Sequence, residues 1–136
     1  MSFMRIAPYL ATALLLSGCV DTRIQNATLV ARAVPAGTTW QIDYFAHLNP
    51  DCSFGAYAEV RALTSPTDGT LVIQQGESYT NYPIDNQRYD CNQQKSHIIE
   101  VMYTPAAGYH GDDEFVVRAI FPHGTTATHR YAITVE

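Results

Sequence analysis

The sequence predicts an all-β fold, a sandwich of about seven to eight strands, on three observations. Apolar and polar residues alternate along most of the chain after residue 26. Turn clusters such as Pro35-Ala36-Gly37, Asn49-Pro50-Asp51, Ser65-Pro66-Thr67-Asp68-Gly69 and Pro122-His123-Gly124 cut that alternation into short runs. No segment past the N-terminal region sustains a helical period. Nine tyrosines and only 15% charged residues fit a β-rich domain.

The elements follow in order. Ala27 to Val34 is the first strand, and Thr39 to Phe45 the second, with Trp40, Ile42 and Tyr44 on one face. Tyr57 to Leu63 is a strand that stops at the Asp68-Gly69 turn, and Thr70 to Gln74 follows it. Gly76 to Gln94 reads as a long, aromatic-rich connection with one short strand at most. Ser96 to Tyr103 resumes the alternation with Ile99, Val101 and Tyr103 on one side. Glu114 to Phe121 turns Phe115, Val117, Ala119 and Phe121 inward, and Thr126 to Val135 does the same with Tyr131, Ile133 and Val135.

The N-terminus has a different character. Arg5 is its only charge before Asp21, and an apolar run from Ile6 to Leu16 ends in Ser17-Gly18-Cys19. That run is too short for a membrane span of about 20 residues. Leu16-Ser17-Gly18-Cys19 resembles the lipobox of a bacterial lipoprotein precursor. The resemblance implies a signal peptide over residues 1–18, removal of it, and acylation of Cys19. Residues 19–25 are then a lipidated tether and residues 26–136 the domain. Two or more acyl chains hold a protein stably at a bilayer where one does not. Val20, rather than Asp, follows the lipid cysteine, which by the rule for such proteins implies the outer membrane. The expected localisation is the cell envelope, with the membrane as partner through the lipid.

Net charge excludes one class of partner. The chain carries −5 at pH 7 with no Lys/Arg cluster, so nucleic acid is not expected. Charge does not favour anionic lipid headgroups either, which leaves anchoring to the acyl chains. With Cys19 assigned to lipid, Cys52 and Cys91 remain. Export into an oxidising compartment makes a disulfide between them the expected outcome. A zinc site from His47, Cys52, Cys91 and His97 is the alternative, though its spacing lacks a tight Cys-x2-Cys pair.

Tyr103-Thr104-Pro105-Ala106-Ala107-Gly108-Tyr109-His110-Gly111-Asp112-Asp113-Glu114-Phe115 resembles the signature Y-x-P-x-x-G-[FY]-x-G-x-D-x-F of bacterial immunoglobulin-like and cadherin-like domains of envelope proteins. Pro66-Thr67-Asp68-Gly69-Thr70-Leu71 resembles their P-x-x-G-x-[LV] turn. The resemblance implies an immunoglobulin-like β-sandwich, present once rather than in tandem. Physically, Tyr103 should end a strand with its ring in the core. Gly108 and Gly111 permit positive φ, and Asp113 accepts from turn N–H groups.

Candidate chemistry is sparse. Asp112, Asp113 and Glu114 suggest either calcium or turn capping, but consecutive strand carboxylates point alternately. His123 and His129 flank the last turn, where a hairpin would bring them together as a metal or pH-sensing pair, and Glu59 facing Asp43 would make a carboxylate pair. No nucleophile elbow, S-x-x-K or phosphate loop occurs. No catalytic residue, resident metal or cofactor is assigned. Tyr79, Tyr82, Tyr89 and Tyr109 are the best binding candidates, as a patch for another envelope protein or a glycan or as padding over the disulfide loop. The expected function is therefore a non-enzymatic interaction or assembly module. The alternatives are a passive envelope component, or an enzyme or metal-binding protein with an unrecognised site.

Overall fold

A computed structural model describes residues 22–136. The expected signal peptide, Cys19 and the first residues of the tether lie outside that range. The last residues of the expected tether, Thr22–Gln25, form a single helical turn, α1. It is closed by hydrogen bonds from Asn26 N–H to Thr22 O and from Ala27 N–H to Ile24 O, both 3.3 Å.

Seven strands follow: β1 (Thr28–Val34), β2 (Trp40–Phe45), β3 (Glu59–Thr64), β4 (Gly69–Tyr79), β5 (Lys95–Pro105), β6 (Gly111–Ile120) and β7 (Thr126–Val135). They form a four-stranded sheet, β1-β7-β6-β3, and a three-stranded sheet, β2-β5-β4. Strand β1 pairs in parallel with β7, and every other pairing is antiparallel. This is the expected immunoglobulin-like sandwich.

The core lies between the sheets. Val101 and Tyr103 come from β5, Phe115, Val117 and Ala119 from β6, Tyr131, Ile133 and Val135 from β7, and Ile42 and Phe45 from β2. Burying each large side chain is worth about 1.5–3 kcal/mol. Tyr103, Phe115 and Tyr131 stack in a row, with ring centroids 5.9 and 4.9 Å apart. Phe121, expected in the inward row, lies beyond β6 and is half-buried, edge-on to Phe45 at 6.4 Å.

Two departures from the expected elements have local causes. In β2 the pairing shifts between Gln41 and Asp43, so Asp43 and Phe45 oppose Val101 and Ile99 while Tyr44 opposes Glu100. A bulge adds one residue and reverses the alternation beyond it. Tyr44 therefore leaves the face that Ile42 occupies, and Trp40 stays 44% exposed. Strand β4 runs five residues past Gln74, with unbroken pairing from Gly69↔Pro105 to Tyr79↔Lys95. Gly76 lets it do so: a Cβ there would stand 2.4 Å from the Glu100 carboxyl carbon, which crosses over the strand.

The tyrosine motif closes the end of the sandwich opposite α1. Tyr103 is fully buried, and its hydroxyl donates to Asp113 Oδ2 at 2.8 Å. The same carboxylate accepts the N–H groups of Thr67 (2.9 Å), Asp68 (3.0 Å) and Glu114 (2.9 Å). One buried carboxylate thus ties β5 and β6 to the β3–β4 turn. Burial and the adjacent Asp113 charge push the Tyr103 hydroxyl well above its ordinary pKa.

Candidate functional site

Three connections meet at the other end of the sandwich: residues 46–58 between β2 and β3, 80–94 between β4 and β5, and 121–125 between β6 and β7. The Asn49-Pro50-Asp51 turn brings Cys52 round, closed by Cys52 N–H to Asn49 O at 2.9 Å. Cys52 then bonds to Cys91 in the short 3-10 helix Tyr89–Gln93. The expected disulfide is present, and the zinc reading falls because both of its thiolates are consumed. Around the bridge, Cys91 and Leu48 are almost wholly buried. Asn92 acts like a strand toward Tyr82, accepting its N–H and donating to its carbonyl, each at 2.9 Å.

A cleft of about 250 Å³ opens between these connections. His47 and His123 line it with ring centroids 5.0 Å apart, and Arg88 joins them from the stapled loop, its Nε–H donating to Leu48 O at 2.6 Å. Tyr82, Phe121 and Thr125 complete the wall, and none of the lining residues is a carboxylate. Desolvation, then the neighbouring His123 and Arg88 charges, holds the His47 imidazole below its ordinary pKa. In a chain of net charge −5, a pocket lined by two imidazoles and a guanidinium offers donors to a compact anion.

The rim is aromatic. Phe54 packs on Tyr57 at 4.8 Å and on His97 at 5.1 Å between ring centroids, and His97 faces Glu77 at 3.4 Å. Tyr79 lies two residues along β4 on the same face as Glu77. Tyr79, Tyr89, Phe54 and Ile84 are all exposed, Ile84 most of all at 80%.

Of the four tyrosines singled out from sequence, Tyr79 lies on this rim, Tyr89 in the 3-10 helix at the same end and Tyr82 in the cleft wall. Tyr109 does not join them. It sits at the opposite end, between β5 and β6, donating to Asp112 O at 2.6 Å. Arg88, Phe54, Ile84 and the His47–His123 pair had no local signal, because only the closed topology brings their connections together.

The other polar clusters resolve as structure. His123 and His129 do not meet. His123 stands against His47, while His129 Nδ1 lies 3.1 Å from Asp43 Oδ2. Tyr131 donates to that same oxygen at 2.7 Å, so Asp43 bridges the two sheets and does not face Glu59, which lies 3.9 Å from Arg61. These hydrogen bonds and the His129 charge outweigh the desolvation of Asp43 and hold its carboxyl below the ordinary range. Asp112, Asp113 and Glu114 diverge: Asp112 accepts from Thr134 Oγ1 at 3.1 Å, Asp113 serves the buried turn, and Glu114 faces Arg130 at 3.6 Å. Among the described residues, no three His, Cys, Asp or Glu side chains converge to hold a metal ion. Comparison with protein-family models, with curated proteins and with solved structures found no match.

Proposed function

We propose that this chain is a lipid-anchored envelope protein, acylated at Cys19 and held at the outer membrane. In this reading its single sandwich is a non-enzymatic interaction or assembly module that needs no cofactor. The disulfide-stapled end carries the contacts, to another envelope protein or a glycan. The single observation behind this is the concentration at that end of exposed Phe54, Tyr79 and Tyr89, together with a cleft lined by His47, His123 and Arg88. Aromatic side chains beside a polar pocket are the usual anchors of recognition surfaces. The bridge fixes the connections beforehand and lowers the ordering cost of binding.

Two measurements test the proposal. Cys19→Ala should move the protein from the membrane to the soluble fraction, and a variant that stays with membranes refutes the anchor. A photo-crosslinking side chain at Tyr89 in cells should give one discrete adduct, and the same group at His110 at the far end should give none. Absence of any defined adduct at Tyr89 would favour the passive structural component instead.

A further inference from the structure

The stapled end of the sandwich is also the end at which the described chain begins, at Thr22. Strand β1 starts there, because its first residue, Thr28, pairs in parallel with His129 near the start of β7. The α1 turn immediately before it shares a surface depression with that start: Arg23, Asn26, Thr28, Thr126 and Thr128 line it together. Between Cys19 and Thr22 there are three peptide steps, a reach of at most about 11 Å. The ten residues of β7 run away from that point for roughly 33 Å. A lipid on Cys19 therefore keeps this end of the sandwich within tether reach of the bilayer, and an upright domain carries the far turns, with Tyr109 and His110, a whole strand length away.

The β4–β5 hairpin projects further at the near end. Phe45, where β2 stops, is level with Ile99, and the hairpin continues from there to the Tyr79↔Lys95 pair. Beyond that pair the Pro83–Asn86 turn, closed by Asn86 N–H to Pro83 O at 2.9 Å, carries Ile84. An isoleucine 80% exposed on a turn, in the connection that follows the exposed Tyr79 at the end of β4, suits a membrane–water interface, where amphipathic rings and apolar tips are favoured.

We propose that the stapled end is the membrane-facing end, and that its exposed Ile84 turn meets the lipid surface on which Cys19 is held, leaving the cleft to the envelope partner. This rests on acylation of Cys19 as proposed above. It deepens that reading: an envelope partner of the cleft must then lie in or on the same membrane. Asp85 adjoins Ile84 in that turn, so the contact is apolar and gains nothing from anionic lipid.

The test uses the full, acylated chain reconstituted in phosphatidylcholine vesicles. Trp40, the sole tryptophan, is replaced by Phe, and a single Trp is placed by Ile84→Trp or, at the far end, by His110→Trp. The acyl mass is confirmed first. Brominated lipid should quench and blue-shift the Ile84→Trp emission and leave the His110→Trp emission unchanged. Adding phosphatidylglycerol or salt should alter neither result. Quenching of both probes means that the domain lies flat, and quenching of neither, or of His110→Trp alone, means that the rim does not touch lipid; each overturns the inference while leaving the anchor intact. Absence of the acyl mass removes the anchor, and this inference with it.

Discussion

Asp113→Asn should cost about 3 kcal/mol of folding stability, and the geometry sets that magnitude. Oδ1 of Asp113 accepts from Thr67 and Glu114, and Oδ2 accepts from Asp68 and Tyr103. All four partners are donors, so the site suits an ion with two acceptor oxygens. An amide keeps one oxygen and turns the other position into a donor. With the amide nitrogen in the Oδ1 position two N–H bonds are lost; in the Oδ2 position the Tyr103 hydroxyl can turn to accept, but the Asp68 N–H is orphaned, so either way an N–H faces an N–H at a site only 8% exposed. Hydrogen bonds to a charged group contribute about 1.5–3 kcal/mol each, part of which water recovers at the turn. Tyr103→Phe removes one donor, leaves the carboxylate its three N–H groups, and should cost only about 1 kcal/mol. For a domain of this size the Asn variant should melt roughly 10–15 °C below the parent. Urea and thermal unfolding with the disulfide intact measure both variants, and the double variant gives their coupling. An Asp113→Asn protein that melts within about 2 °C of the parent would falsify the argument that this carboxylate holds the motif together.

Three further outcomes follow from the same geometry. Cys52→Ser opens a loop of sequence separation 39 and should lower stability by about 4 kcal/mol in the chain-entropy model, read as a lower urea midpoint; an unchanged midpoint would mean the bridge does not stabilise the fold. Asp43 has a folded pKa below its unfolded value, so its contribution is fully present above the ordinary carboxylate range and is lost as pH falls through the depressed folded value. Acid unfolding of the parent should therefore be steeper than that of Asp43→Asn in that window, and parallel curves would contradict the assignment. In the cleft, inorganic phosphate should raise the depressed His47 titration midpoint, followed by the NMR shift of its ring protons, and Arg88→Gln should reduce that rise; a midpoint indifferent to phosphate would show that the cleft takes no anion.

Much of the architecture was legible because burial repeats with the strand period. The row Tyr131-Ile133-Val135 alternates cleanly, Phe115-Val117-Ala119 is interrupted only by the buried Val116, and the core is built on both rows. Where backbone detail overrides the period, the reading failed. The β2 bulge put Asp43 where Tyr44 was expected. The far half of β4 carries Gln, Gly, Glu and Ser and shows no apolar row, yet its backbone pairs throughout with β5. The candidate site was half legible. Its staple was visible in the cysteine count, and its tyrosines in their density between Gly76 and Gln94. The cleft was not, because His47 and His123 lie on connections far apart in sequence, and their approach depends on how two sheets close over one another. Tyr109 was grouped with the other tyrosines by residue type alone, and the β5 strand carries it to the far end.

The parallel pairing of β1 with β7 gives the domain a mechanical character. A pull between Thr28 and Val135 acts along the strands, and seven register pairs from Thr28↔His129 to Val34↔Val135 take the load in shear, together. Peeling a hairpin open breaks its hydrogen bonds one at a time, whereas sliding β1 along β7 must rupture the ladder at once. Tension applied between the start of β1 and the end of β7 thus loads the whole ladder in shear.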